Sequence, residues 1–314
     1  MRRGIKNNPV LVKAYNHCMA FAKAYLPKTR AKVAYRIAYG KKCNLDDPKT
    51  FSEKLLWLSL NTYRNNQVIL KLCDKYLVRE YVEEKLGHEY LNELYAVYKS
   101  LDEIKFDLLP NSFALKISQG CTTNIFCKDK KSFDRTAFDR TLEQWGKKQK
   151  LYDKVMADIG GISPKELKKY YICEKYIEEE GHSSPTDYKI YCFNGVPKAI
   201  LVMSDRFTNI SGALMTPDWK FLHALSETYH TPKEIYKEPA SLERMVDAAK
   251  KLSEGFPFVR VDMYDVGGQA IFGEMTFFPN GCIHTEEAEI DGKTMGEILD
   301  ISELVNKNNA VQST

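Results

Sequence analysis

Apolar residues stand at near-helical spacing through the first third of the chain, and at Pro110 the texture changes to short β-rich runs interleaved with helices. From Val10 to Ala38 apolar residues alternate with Lys, Arg and Tyr at near-helical spacing, and Pro27 divides the run into two helices. Thr50-Phe51-Ser52-Glu53 opens the next helix, Lys54 to Leu60, with Ser52 as its N-cap. A further helix is predicted from Gln67 to Lys85, stopped by Gly87. Beyond Pro110, Phe113 to Ser118 and Asn124 to Cys127 read as short strands around a polar turn containing Gly120. A helix from Phe138 to Ile159 ends at Gly160-Gly161, and Tyr170 to Ile177 is β-rich. Asp187 to Phe193, the turn Asn194-Gly195 and Pro197 to Met203 form a hairpin by turn chemistry. A helix from Leu242 to Glu254 precedes a second hairpin, Phe258 to Tyr264 and Ala270 to Phe278 around Val266-Gly267-Gly268, and a last helix runs from Thr294 to about Asn306. The predicted class is α+β, with antiparallel sheet concentrated after residue 110.

The 314 residues admit two domains or one large lobed one. Hydrophobic residues make up 44% and charged ones 28%, which fits a globular chain and excludes a disordered one. With 46 basic and 42 acidic residues the net charge is +4, too balanced for nucleic acid as partner. The most apolar stretch, Ala199 to Ser204, is bounded by Lys198 and Asp205, so a transmembrane helix is excluded; Lys13 and Lys23 argue against a signal peptide. Eight scattered cysteines without a Cys-x-x-Cys pair read as reduced core thiols of a cytoplasmic protein.

The chemistry concentrates in the second hairpin. Side chains alternate along a strand, so Arg260 and Asp262 share one face, Glu274 and Thr276 share another, and the hairpin can unite the four. Two carboxylates and a hydroxyl suit Mg²⁺, and an arginine beside them suits a phosphate. The same residues also read as a cross-strand salt-bridge face.

Arg-x-Asp, a hairpin and Glu-x-Thr resemble the metal-binding signature of the ATP-grasp superfamily. Further elements follow in order: Asp74-Lys75 opening a helix, Lys116 in a strand before a small-residue turn, Glu174-Lys175-Tyr176-Ile177, and Asp187. Within the superfamily the chain resembles the TupA-like branch, on Phe51-Ser52-Glu53-Lys54, Asp74 to Val82, Asp187-Tyr188-Lys189 with Cys192-Phe193-Asn194-Gly195, Asp205-Arg206, and Phe272 to Phe277 running into Pro279. The resemblance implies an ATP-grasp fold of two α+β lobes whose antiparallel sheets clasp ATP. It divides the chain into a helical region (1–60), an ATP-grasp domain (61–300, lid lobe about 111–175, metal-binding lobe about 176–300) and a tail (301–314).

The resemblance also implies roles. ATP and Mg²⁺ are the cofactors. Lys75 and Lys116 hold phosphates; Glu174, the Tyr176-Ile177 backbone and Asp187 take the adenosine; Asp262 and Glu274, with Thr276 through a water, hold Mg²⁺; Arg260 stabilises an acyl phosphate; Lys189 and Arg206 are further anion contacts. Arg260 and Lys116 are the catalytic candidates. Two departures stand out: one glycine in the lid loop 118–123, and Thr276 where the superfamily usually has asparagine. The implied function is a carboxylate-amine ligase of capsular or other cell-surface polysaccharide synthesis, joining a saccharide or uronic-acid acceptor to an amino acid or amine. It would act in the cytoplasm or at the inner membrane face, peripherally associated with the synthesis machinery. The alternatives are a glycosyltransferase or sugar-modifying kinase of the same pathway, and a nucleotide-binding module with weakened catalysis. No Asp-x-Asp triplet of metal-dependent glycosyltransferases occurs, and Gly292-Lys293-Thr294 lacks the upstream glycine of a P-loop, Glu287 standing there.

Overall fold

A computed structural model describes residues 27–120, 123–179, 181–182, 184–205, 211–224, 236–283 and 288–312. The first predicted helix, Arg206 and the tip of the lid loop lie outside them. The described chain begins with four helices, α1 (Pro27–Tyr39), α2 (Phe51–Asn61), α3 (Gln67–Leu72) and α4 (Val78–Leu86). The N-cap of α2 is Thr50 and not Ser52: Thr50 Oγ1 accepts from the Glu53 amide while Glu53 reaches back to the Thr50 amide, a reciprocal capping box that uses Glu53 as its fourth member. The single helix predicted over 67–85 is two. Asp74 Oδ1 accepts from the Tyr76 and Leu77 amides (2.8 and 3.0 Å), and this local alternative to the helical ladder breaks the run.

Two antiparallel sheets follow. The four-stranded sheet has the order β1-β4-β2-β3, from β1 (Leu94–Tyr98), β2 (Phe113–Ile117), β3 (Asn124–Cys127) and β4 (Tyr171–Glu174). Between β3 and β4 runs α5 (Arg135–Gly160), capped by Asp134 and ended at Gly161, which takes the left-handed conformation. Phe138 and Trp145 of α5 join Phe113, Leu115, Tyr171 and Cys173 in this sheet's own hydrophobic core.

The six-stranded sheet has the order β10-β9-β5-β6-β7-β8: β5 (Asp187–Phe193), β6 (Val196–Ser204), β7 (Ser211–Met215), β8 (Phe221–Ala224), β9 (Phe258–Val266) and β10 (Gln269–Thr276). Both predicted hairpins form. Asn194 and Gly195 have φ of 49° and 78°, Gly267 and Gly268 of 60° and 82°, the paired positive values a tight hairpin turn requires. α6 (Leu242–Ser253) lies against β5, β6, β9 and β10, burying Met245, Ala249 and Leu252. Its core also takes in α1 to α4: Phe51 meets Phe193 and Phe258 (centroids 5.7 and 5.2 Å), and the Tyr63 hydroxyl donates to the Phe258 carbonyl (2.7 Å). These contacts fix the start of β9.

The last helix is not continuous from Thr294. A two-stranded hairpin, β11 (Glu289–Ile290) and β12 (Lys293–Thr294), leads into a single turn, α7 (Met295–Ile298), and α8 (Ser302–Gln312) follows. Gly292 sits in that hairpin, which accounts for the P-loop mimic. Strands β1, β7 and β8 have no counterpart among the predicted elements.

Candidate functional site

The site grows from one cross-strand register. On β5, β9 and β10, Lys189 faces Asp262 and Asp262 faces Glu274; one step along, Tyr191 faces Arg260 and Arg260 faces Thr276. Directly opposed residues lie on the same face of a sheet, so the six side chains form two rows of three. A β-bulge at Gly273 makes this possible. Counting back from the Gly267-Gly268 turn, a regular hairpin would set Glu274 opposite Val261, on the core face; the extra residue returns Glu274 and Thr276 to the face of Asp262 and Arg260. A Cβ on Gly273 would lie 3.0 Å from both the Asp262 carbonyl oxygen and a Tyr264 ring carbon, so the bulge is packed around glycine.

Within the rows every charge is paired. Arg260 donates from Nε and Nη2 to the two Asp262 oxygens (2.6 and 2.7 Å), and Lys189 Nζ reaches Asp262 Oδ2 (2.7 Å) and Asp187 Oδ2 (3.5 Å). Arg260 Nη2 also donates to Thr276 Oγ1 (3.2 Å) and stands 3.5 Å from Glu274 Oε1, to which Thr276 donates (3.3 Å). Asp262 is 2% exposed, whereas the Glu274 side chain is 36% exposed and forms the open end of the cluster. Burial alone would raise the Glu274 carboxyl, but Lys75, Arg260 and Lys189 outweigh it and hold the group well below the usual carboxylate range. Burial pushes the Tyr191 phenol up; beside Arg260 it stays a neutral hydroxyl.

Lys75 joins this cluster to the other sheet. Its Nζ donates to the Gly120 carbonyl (2.8 Å) and pairs with Glu274 Oε2 (3.2 Å), while its amide donates to the Ser118 carbonyl (2.8 Å). Asp74, wholly buried, accepts from Ser118 Oγ (2.8 Å), and its burial pushes the carboxyl up against those hydrogen bonds. The lid loop is therefore tied to the break between α3 and α4. Its glycine has a packing reason: a Cβ on Gly120 would stand 1.8 Å from Thr123 Oγ1.

A second group lies on the four-stranded sheet. Lys116 of β2 pairs with Glu174 Oε2 of β4 (2.7 Å), and Arg79 of α4 with Glu174 Oε1 (3.1 Å) while donating to the Asn92 carbonyl (2.8 Å). Tyr176 and Ile177 follow β4, half-buried; the Tyr176 ring lies 6.3 Å from that of Phe126. The structure thus gathers Lys75, Asp187, Lys189, Arg260, Asp262, Glu274 and Thr276 in one cluster, and Lys116 with Glu174 in another. Sequence reasoning gave no role to Tyr191 or Arg79. Strand alternation through Asp187 and Lys189 points to Tyr191, and Arg79 stands four residues after Lys75.

Two observations bear on which groups this region could hold. Thr123 Oγ1 and Gln119 Oε1 are buried without a hydrogen-bond partner, and a hydroxyl donor left free beside Lys75 and the Gly120 turn fits a phosphate oxygen. No group of three or more His, Cys, Asp or Glu side chains among the described residues is placed to hold a metal. Glu274 is the open carboxylate of the cluster, with Asp262 and Thr276 beside it, a set that would hold Mg²⁺ only with phosphates completing its coordination.

Two α+β lobes with antiparallel sheets, tied together through a lysine and a carboxylate hairpin, define a protein of the ATP-grasp class. The TupA-like ATP-grasp family model matches residues 53–300, and the chain belongs to that family. No curated protein is significantly similar to it. Similar solved structures include a D-alanine-D-alanine ligase from Bacillus anthracis complexed with ATP (16% identity, covering 67% of this chain and 56% of that one, TM-score 0.36). The D-cycloserine synthetase DcsG (14%, 78% and 71%, 0.34) and an N5-carboxyaminoimidazole synthase from Aspergillus clavatus (11%, 68% and 46%, 0.36) are others. The chain spans 56% to 60% of the length of the first ligases it matches. No helix among the described residues is long and apolar enough to cross a membrane.

Proposed function

We propose that the protein is an ATP- and Mg²⁺-dependent ligase-like enzyme that activates a carboxylate as an acyl phosphate and passes it to an amine. The observation that supports this most is the meeting of Lys75 from the lid side with the Lys189–Asp262–Glu274 row, next to an unpartnered Thr123 hydroxyl. In this reading Lys75 and the lid loop take the terminal phosphates, and Lys116 with Arg79 takes those nearer the nucleoside. Asp187 and Glu174 face the adenosine, with the Tyr176-Ile177 backbone on the base. Asp262, Glu274 and Thr276 are the residues that would hold Mg²⁺, which when bound neutralises the phosphates and keeps them in line. Asp262, clamped by Arg260 and Lys189, orients the arginine, whose guanidinium, beside the Tyr191 hydroxyl, would stabilise charge on the transferring phosphoryl group. The substrate carboxylate oxygen bonds to the γ-phosphorus as its bond to the β-bridging oxygen breaks, releasing ADP. The amine nitrogen then bonds to the acyl carbon as the acyl carbon–phosphate oxygen bond breaks, and inorganic phosphate leaves with the proton the amine gives up.

The pathway reading is the synthesis of capsular or other cell-surface polysaccharide in the cytoplasm, with a saccharide or uronic-acid acceptor and an amino acid or amine donor. The test is incubation with ATP, Mg²⁺, uronic acids and amino acids, with hydroxylamine as a trap. ADP formation that requires the carboxylate, with a hydroxamate product, is expected. Phosphate retained on the sugar would overturn the ligase in favour of a kinase, and nucleotide binding without turnover in any mixture would leave only a binding module.

A further inference from the structure

Charge is unevenly spread along the chain. Residues 1–45 contain 11 lysines and arginines and no aspartate or glutamate, whereas 46–314 contain 35 basic and 42 acidic residues, a net of −7. The small overall positive charge is thus a strongly basic segment joined to an acidic body. Such segregation is the electrostatic mark of a segment that meets an anionic surface.

The described part of that segment, α1, has two faces. Ala31 and Tyr35, one turn apart, are 7% and 4% exposed and join the main core, and the Tyr35 and Tyr39 hydroxyls bond Thr50 Oγ1 (3.3 Å) and Ser52 Oγ (2.6 Å) at the start of α2. This face fixes the helix to the body. Bordering it, exposed Lys28, Lys32 and Arg36 at four-residue spacing make one basic row along the helix. Beside it stand Val33 and Ile37, 44% and 43% exposed, and exposed Lys41 and Lys42 follow the helix end. Among the described residues the acidic partner on this face is Asp46, 3.9 Å from Lys28.

Basic residues alone would suit any polyanion. An exposed aliphatic pair beside the basic row adds something a soluble polyanion does not use, a surface that enters the headgroup boundary of a bilayer while the lysines and arginines stay with the phosphates. We infer that the exposed side of α1 is a docking surface for a membrane leaflet bearing anionic lipid. The surface contains none of the nucleotide-site residues, so it stands or falls apart from the ligase reading.

The test is sedimentation of the full chain with vesicles of phosphatidylcholine alone and of phosphatidylcholine with phosphatidylglycerol. Binding only to the anionic vesicles is expected, with release at 1 M salt, where the screening length falls to about 3 Å. Each basic residue near an anionic surface contributes about five-fold, so Lys32→Glu with Arg36→Glu should weaken partition by at least about 25-fold. Val33→Ser with Ile37→Ser should weaken vesicle binding while leaving retention on a heparin column unchanged; all four positions are exposed, and unchanged nucleotide binding and circular dichroism verify the fold. Equal binding to neutral vesicles overturns the inference, as does undiminished binding by the charge-reversed variant. Vesicle binding unaffected by the serine variant also overturns it, by reducing the surface to a general polyanion site.

Discussion

Asp262 and Glu274 carry the same charge a few ångströms apart, yet their removal should have very different consequences. Asp262 is 2% exposed and accepts three charged donors within 2.7 Å, two from Arg260 and one from Lys189. Asp262→Ala leaves both cations inside the protein, Lys189 with Asp187 at 3.5 Å and Arg260 with Thr276 and Glu274 at 3.2 and 3.5 Å. Stranding a buried charge costs about 3–5 kcal/mol. Glu274 is a third exposed, and in Glu274→Ala Lys75 keeps its bond to the Gly120 carbonyl, so the expected loss is about 1 kcal/mol. At roughly 2.1 cal/mol/K per residue, unfolding a chain of this size has an entropy of about 0.65 kcal/mol/K. Asp262→Ala should therefore lower Tm by about 5–8 °C and Glu274→Ala by about 1–2 °C, measured calorimetrically without nucleotide or Mg²⁺. Adding Mg²⁺ and ATP at about 100 times Kd should stabilise the wild type by about 2.7 kcal/mol and fail to stabilise Glu274→Ala. Equal Tm losses in the two variants would refute the claim that Asp262 is the buried anchor and Glu274 the open ligand.

Other outcomes follow from the same geometry. Gly273→Ala, whose Cβ would meet the Asp262 carbonyl at 3.0 Å, should cost about 1–3 kcal/mol in urea unfolding; a wild-type midpoint would show that the bulge has slack. The Glu274 carboxyl is held low because Lys75, Arg260 and Lys189 outweigh its burial, so below the unfolded pKa of about 4.3 the unfolded chain takes up a proton that the native one does not. That contribution is complete above this pH and is lost as pH falls toward the folded pKa; wild type should lose stability faster than Glu274→Gln during acid titration, and parallel curves would contradict it. Burial raises the Cys43 thiol to about 11 and those of Cys73, Cys173, Cys192 and Cys282 to about 12. At pH 8 iodoacetamide should spare the buried Cys43, Cys173, Cys192 and Cys282 in the native protein and label them after denaturation, read by peptide mass; native labelling at any of these four would contradict its burial.

Hairpins and helices with local punctuation were legible because their signals lie within a few residues: Asn194-Gly195, Gly267-Gly268, and the Gly160-Gly161 stop of α5. The strands β1, β7 and β8 were not, since short runs such as Leu94–Tyr98 become strands only by pairing with a partner far along the chain, here β4. The break before α4 was hidden because Asp74 looks like any polar residue in an amphipathic run until its carboxylate takes the Tyr76 and Leu77 amides. Tyr191 and Arg79 were within reach of simple periodicity, but periodicity gives a face without saying what opposes it.

The sequence by itself determined the residue types: Arg260 two positions from Asp262, Glu274 two from Thr276, and a turn that folds one pair back upon the other. It did not determine that the pairs meet. Strand periodicity is two, and a regular ladder from the Gly267-Gly268 turn would have sent Glu274 to the core side with Val261. Only the tertiary structure supplied the bulge at Gly273, packed against the Asp262 carbonyl and the Tyr264 ring, and the third strand that brings Lys189 beside Asp262. The chemistry of the site was written locally, but its convergence depends on a one-residue register that local sequence leaves open and packing decides.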